Sequence, residues 1–187
     1  MKVPPRIQPL VEDGLVDEVI SRLMSGKEAD VYVVRSAGEI RCAKVYKDVT
    51  TRSFKQAVQY QEGRKVRNTR RGRAMERGSK FGKQQKEQTW HTAEVDALAL
   101  LANTEVRVPE AHGLFDGVLL MELITGADGR VAPRLADISM ASEEAIKDHV
   151  TVIDFIKKML CIGMVHGDLS EFNVLVDANG PVIIDLP

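Results

Sequence analysis

The chain has 187 residues, 44% hydrophobic and 28% charged, proportions that suit a packed globular core. No apolar run approaches the roughly 18 residues a membrane helix needs, and the opening residues 1–5 lack a signal-peptide apolar stretch, so a cytoplasmic chain without a membrane partner is expected. The net charge of −1 conceals a division: residues 52–86 hold 12 of the 26 Lys+Arg and only the acids Glu62 and Glu76, a net +10 against −11 for the rest. Cys42 and Cys161 lie in apolar segments outside any CxxC pair, which argues for small buried hydrophobes rather than a zinc site.

Residues 1–10 read as a Pro-rich lead-in. Leu15, Val16, Val19, Ile20 and Leu23 have a helical spacing and predict a helix over Leu10 to Met24. Ser25 to Asp30 breaks it. Val31 to Val34 and Ile40 to Tyr46 predict a hairpin around Ser36-Ala37-Gly38-Glu39. Residues 48–86 read as a charged loop, with some helix from Ser53 to Gln61. Thr89 to Leu101 predicts a largely buried helix. Leu114-Phe115 and Val118 to Ile124 predict two strands about an Asp116-Gly117 turn. A connector follows, and then a helix from about Glu143 to Ile162, N-capped by Ser142. Its expected apolar stripe is Ile146, Val150, Ile153, Phe155-Ile156 and Met159-Leu160. Val174 to Val176 and Val182 to Ile184 predict short strands about an Asp177-Ala178-Asn179-Gly180 turn. The fold class expected is α+β, with a strand-rich N-lobe over 1–124 carrying the basic insert (about 48–86) and a reduced, mostly helical C-lobe over 125–187.

The most informative string is His166-Gly167-Asp168-Leu169-Ser170-Glu171-Phe172-Asn173, followed by a hairpin ending Ile183-Ile184-Asp185. Transfer of a phosphoryl group from MgATP needs oxygen ligands for the metal and a carboxylate to orient the attacking hydroxyl. Asp168 suits the second task; Asn173 and Asp185 suit the first. His-x-Asp-x4-Asn is the spacing of a protein-kinase catalytic loop. His166 is read as bracing that loop.

Lys44 interrupts the apolar strand Cys42-Ala43-Lys44-Val45-Tyr46, where a kinase places its phosphate-binding lysine. Glu94, on the apolar helix, is the expected partner, because an acid on that face needs a cation. Glu87 and Asp96 are weaker alternatives. Ser25 and Lys27 lie in a turn that precedes the Lys44 hairpin, the position of a phosphate-covering loop, though it holds a single glycine. Leu119 to Gly126 runs into a turn between the lobes, where the backbone of Glu122 and Ile124 is suited to holding an adenine ring.

Taken together, Ser25-Gly26-Lys27-Glu28-Ala29-Asp30-Val31-Tyr32, Cys42 to Lys47, the Trp90 to Leu101 helix, His166 to Asn173 and Ile183-Ile184-Asp185 resemble, in order, the signatures of the RIO family of atypical serine protein kinases. The resemblance runs from about residue 10 to the end, and the chain looks like the types that lack an N-terminal winged helix. It implies a reduced bilobal kinase fold, ATP and Mg²⁺ (with Mn²⁺ as the alternative) as cofactors, and transfer to serine, including the protein's own. It also implies a second mode, an ATPase switch in which Asp185 itself is phosphorylated. In that mode the chain is an assembly factor whose basic insert contacts ribosomal RNA or a pre-ribosome. Family members continue past the equivalent of Asp185-Leu186-Pro187 with further C-lobe helices, so the chain looks truncated and apolar surface is expected around Ile153 to Leu160 and Ile184.

Overall fold

The computed structural model describes residues 2–47 and 92–186. The basic insert, the Ser53 to Gln61 helix and Trp90 lie outside the described residues. In chain order the elements are helix α1 (Gln8–Glu12), strands β1 (Glu18–Ser25), β2 (Ala29–Ser36) and β3 (Glu39–Tyr46), then helix α2 over residues 92–101. Strands β4 (Ala111–Phe115) and β5 (Val118–Glu122) follow, then a 3-10 turn (Leu135–Asp137), helix α3 (Ser142–Cys161), and strands β6 (Val174–Asp177) and β7 (Gly180–Ile183). β1 to β5 form one antiparallel sheet in the order β1-β2-β3-β5-β4, and β6 pairs with β7.

Two of the sheet's turns are closed by a left-handed backbone, which Gly38, Gly117 and Asp116 tolerate better than Ala37 does. Ala37 (φ 52) and Gly38 (φ 78) close the β2–β3 hairpin, and Asp116 (φ 46) and Gly117 (φ 76) close β4–β5. Positive φ at both central positions matches the strand twist.

The helix expected over Leu10 to Met24 is corrected. Only Gln8–Glu12 is helical, Gly14 at φ 72 ends it, and Glu18–Ser25 is a strand paired with β2. Register shifts between Val19 and Ser21 and between Arg22 and Met24 interrupt the pleat, so the apolar residues lose their alternation and imitate a helical period. Only Val19 is buried; Ile20 and Leu23 stay exposed on this edge strand.

Helix α3 carries one more correction. Ser142 sits inside the helix; Ala141 occupies the cap position, and no side chain caps the end. Of the apolar stripe, Phe155 and Met159 are buried; Ile153 and Leu160 are exposed, the apolar surface expected there, and Ile146 at 65% and Val150 at 62% extend it toward the N-terminus. The helix docks its apolar side through Phe155 and Met159, and its N-terminal half is anchored by the buried Asp148 beside Gly180 of β7.

One face of the sheet builds a core with α1 and the lead-in, through Ile7, Leu10, Val16, Val34, Val45 and Leu120. The other face packs Tyr46 and Leu119 against Leu98 and Leu101 of α2, Phe155 and Met159 of α3, and Ile183 of β7. Each such side chain contributes about 1.5–3 kcal/mol through burial. This second core joins the sheet to α3 and the β6–β7 hairpin, and so fixes what faces Lys44. A second tie is Arg107, after α2: it donates to Asp177 at 3.0 and 2.5 Å and to the Gly180 carbonyl at 3.0 Å. Among the described residues, no helix is long and apolar enough to cross a membrane.

Candidate active site

Lys44 projects from the middle of β3, opposite Val31 on one side and Leu119 on the other. Strand alternation sends it, with Cys42 and Tyr46, to the face that meets α2. Its ammonium donates to both oxygens of Glu94 at 2.7 and 2.9 Å and to Asp185 Oδ1 at 2.6 Å. Lys44 is 8% exposed and Glu94 5%. Burial alone would push the Lys44 ammonium down; the two carboxylates outweigh it and hold it above the ordinary lysine value. Burial also pushes the Cys42 thiol up to about 12, which keeps it an inert packing group.

Residues 162–173 carry the second half of the site. His166 is buried, and its Nε2 lies 2.9 Å from the Ile184 carbonyl. A carbonyl only accepts, so Nε2 carries the proton, and Nδ1 faces the Asp168 amide at 3.4 Å. His166 therefore braces the loop against the strand that ends in Asp185. Asn173 Nδ2 donates to the Asp168 carbonyl at 2.8 Å, leaving its amide oxygen for another partner. The Ile184 amide donates to the Asn173 carbonyl at 3.0 Å, which draws Asn173 alongside Asp185. Asp168 and Asp185 are both exposed, the latter with φ 58, a left-handed conformation uncommon outside glycine.

The turn after β1 is tied to itself. Ser25 Oγ donates to Asp30 Oδ1 at 2.7 Å, and Arg22 reaches the same oxygen at 2.6 Å. Lys47 contacts Asp30 at 3.0 Å and donates to the Gly26 carbonyl at 2.7 Å. Burial would raise the Asp30 carboxyl, but bonds from Ser25, Arg22 and Lys47 hold it below the usual range. Lys27 is exposed at the tip of this turn. At the end of β5, the Glu122 amide donates to the Glu110 carbonyl, and the Ile124 carbonyl accepts from Ala132.

The structure thus brings Lys44, Glu94 and Asp185 into direct contact and links Asp168 and Asn173 to them through Ile184. Ser25, Lys27, Glu122 and Ile124 touch none of these five by a described hydrogen bond. Asp96 makes no ion pair with Lys44, and Glu87 lies outside the described residues. Three features escaped the sequence reading: the Tyr46 hydroxyl on Glu94, the Arg22–Asp30–Lys47 cluster, and the Lys44–Asp185 contact. The first had a signal, because Tyr46 stands two residues from Lys44 and must share its face. A cavity of about 140 Å³ is lined by α3 residues such as Ile156, Met159 and Leu160 and by His166, Gly167 and Leu169 of the following loop; Lys44 does not line it.

Comparison with known proteins places this arrangement. The chain is 33% identical over 175 residues to serine/threonine-protein kinase RIO1 of Homo sapiens, covering 92% of this chain and 29% of that protein. It is 29% identical over 183 residues to RIO-type serine/threonine-protein kinase Rio1 of Haloferax volcanii, covering 96% and 58%. It is also 33% identical over 169 residues to Rio1 of Methanocaldococcus jannaschii, covering 90% and 53%. The chain therefore spans between about a third and three fifths of the length of these relatives. A crystal structure of the Rio2 kinase–ADP/Mg²⁺–phosphoaspartate complex from Chaetomium thermophilum matches with a TM-score of 0.64 at 21% identity, over 97% of this chain and 51% of that one. The α+β fold is that of these kinases. The RIO domain profile matches residues 30–187, a span that holds Lys44, Glu94, Asp168, Asn173 and Asp185, and the chain belongs to the RIO domain family.

Proposed function

We propose that this chain is the catalytic core of a RIO-type atypical serine protein kinase, an ATP-dependent phosphotransferase acting on serine, on itself, or on its own Asp185. The observation that carries the reading is the meeting of Lys44, Glu94 and Asp185 in one buried-to-open contact, with Asn173 hooked beside them. The donor set fits a hard cation: Asp185 has its carboxylate 43% exposed, and Asn173 has its amide oxygen uncommitted. Among the described residues no group of three or more His, Cys, Asp or Glu could hold a metal. Two oxygen ligands suit Mg²⁺, or Mn²⁺, which fills its remaining positions from phosphates and water. Bound MgATP supplies the transferable phosphoryl group, with its charge offset by the metal.

In this reading Lys44 binds the phosphates and Glu94 orients Lys44. Asp168 orients the acceptor hydroxyl and accepts its proton, and Asn173 and Asp185 hold the metal. Ser25 and Lys27 cover the phosphates. The Glu122 carbonyl and the Ile124 amide meet the adenine edge. A division at 124/125 into a nucleotide lobe and a catalytic lobe, and a cytoplasmic location, belong to the same proposal. The complex named for the Chaetomium Rio2 structure supports aspartate as an acceptor.

The test is incubation with terminal-phosphate-labelled ATP and Mg²⁺. Label that survives acid reports serine; label released by hydroxylamine reports aspartate. A chain that neither takes up label nor releases phosphate would overturn the proposal. The net +10 of residues 52–86 favours a second reading, a nucleotide-gated assembly factor on ribosomal RNA or a pre-ribosome.

A further inference from the structure

Tyr46 is 1% exposed, and the proposed chemistry does not use it. It stands two residues after Lys44 on β3 and shares its face of the sheet. Its ring packs in the core between the sheet, α2 and α3, and the Lys44 ammonium lies 5.6 Å from the ring centroid. Its hydroxyl donates to Glu94 Oε2, the oxygen that Lys44 also contacts at 2.9 Å. We infer that Tyr46 is a positioning residue for nucleotide binding, its hydroxyl fixing the Glu94 carboxylate and, through it, the Lys44 ammonium.

A carboxylate held by one flexible partner is not fixed in place. Glu94 has three side-chain torsions, and Lys44 is itself flexible, so a contact between these two alone leaves both free to move together. A second donor from a rigid ring on the same strand removes that freedom. A buried phenol needs an acceptor, and a buried carboxylate needs donors, so each satisfies the other. Burial and the neighbouring Glu94 charge hold the Tyr46 hydroxyl far above its ordinary value, so it remains a donor throughout the working pH range. The requirement is greatest in the nucleotide-bound state. There the proposed function assigns Asp185 to the metal, and Lys44 keeps Glu94 as its carboxylate partner.

The inference rests on the reading of Lys44 as the phosphate-binding lysine, and the experiment separates the two. MgATP affinity is measured by calorimetry for the wild type, Tyr46→Phe, Glu94→Ala, the double variant and Lys44→Met, with steady-state KM and kcat alongside. Tyr46→Phe keeps the ring and its packing. It should weaken MgATP binding about tenfold, the scale of a lost hydrogen bond to a charged group, and raise KM by more than it lowers kcat. In the Glu94→Ala background the same change should cost less than about twofold, because the hydroxyl acts through Glu94. An affinity for Tyr46→Phe within twofold of wild type, or an equal cost in both backgrounds, would overturn the inference. A Tyr46→Phe chain that no longer folds would make the hydroxyl a folding determinant and overturn it too. If Lys44→Met binds MgATP as the wild type does, the reading of the cleft fails instead.

Discussion

Lys44 and Asp185 stand 141 positions apart in the sequence and meet at 2.6 Å, ammonium to carboxylate. The contact ties the middle of β3 to the residue beyond β7, and it occupies the carboxylate that the proposed function assigns to a metal. Metal binding therefore brings a second cation to a carboxylate whose Oδ1 Lys44 already holds. Asp185→Asn removes the charge that either cation needs. We expect Mg²⁺ to strengthen ATP binding to the wild type, and this gain to fall by about tenfold or more in the variant, as titrations with and without Mg²⁺ would show. An unchanged gain would take Asp185 out of the metal site.

Glu94 and Lys44 form a pair with side chains 7% and 10% exposed, so little solvent screening applies. Breaking a buried pair costs about 3–5 kcal/mol, because the remaining charge is left uncompensated. Lys44 retains Asp185, which places Glu94→Ala at the low end, about 3 kcal/mol. Its thermal midpoint should fall by about 6–12 °C. A fall of less than 2 °C in a thermal melt would show that the pair contributes nothing net.

Arg107 and Asp177 give the fold an acid limit. The Arg107 bond is the largest influence holding the Asp177 carboxyl below the usual range; burial opposes it, and the Asn179 and Gly180 amides add to it. A depressed folded value means that the charged form stabilises the fold above the ordinary value of about 3.9, and that this contribution is lost as pH falls through the folded value. Melting temperature should hold steady from pH 7 to 5 and fall below pH 4. Asp177→Asn should lower the midpoint at pH 7 by about 2–8 °C, equivalent to about 1–2 kcal/mol once the exposed part of the guanidinium is discounted. It should also flatten the acid limb. An acid limb as steep in the variant as in the wild type would remove this pair from the account.

The basic insert makes a separate claim. Twelve cations between residues 52 and 86 give RNA binding a steep salt dependence if they meet phosphates. Deleting residues 62–86 should weaken binding to a structured ribosomal RNA fragment and flatten the plot of log affinity against log salt. Unaltered affinity and slope after the deletion would rule out an RNA role for the insert.

Much of the candidate site's local arrangement was legible because its members are closely spaced along the chain. His166, Asp168 and Asn173 lie within eight residues, and the hairpin carrying Asp185 follows directly. The β2–β3 and β4–β5 turns were legible because Gly38 and Asp116-Gly117 tolerate the positive φ their turns demand. β1 was misread because two bulges erase the alternation that marks a strand. On α3 the uncovered apolar surface around Ile153 to Leu160 was legible, and its extension to Ile146 and Val150 was not, because burial depends on what packs against each position. Contacts such as Arg107 with Asp177, or Lys44 with Asp185, join residues 70 and 141 positions apart, and no local pattern announces them.

The central claim is that Asp168 orients the group that receives phosphate, while Lys44, Asn173 and Asp185 hold the nucleotide and metal. It is tested most directly by Asp168→Asn, measured for both MgATP affinity and transfer of labelled terminal phosphate. The account predicts affinity within about threefold of wild type and transfer reduced about 10²–10⁴-fold, the range expected for loss of a general base. Transfer at the wild-type rate in Asp168→Asn would contradict it.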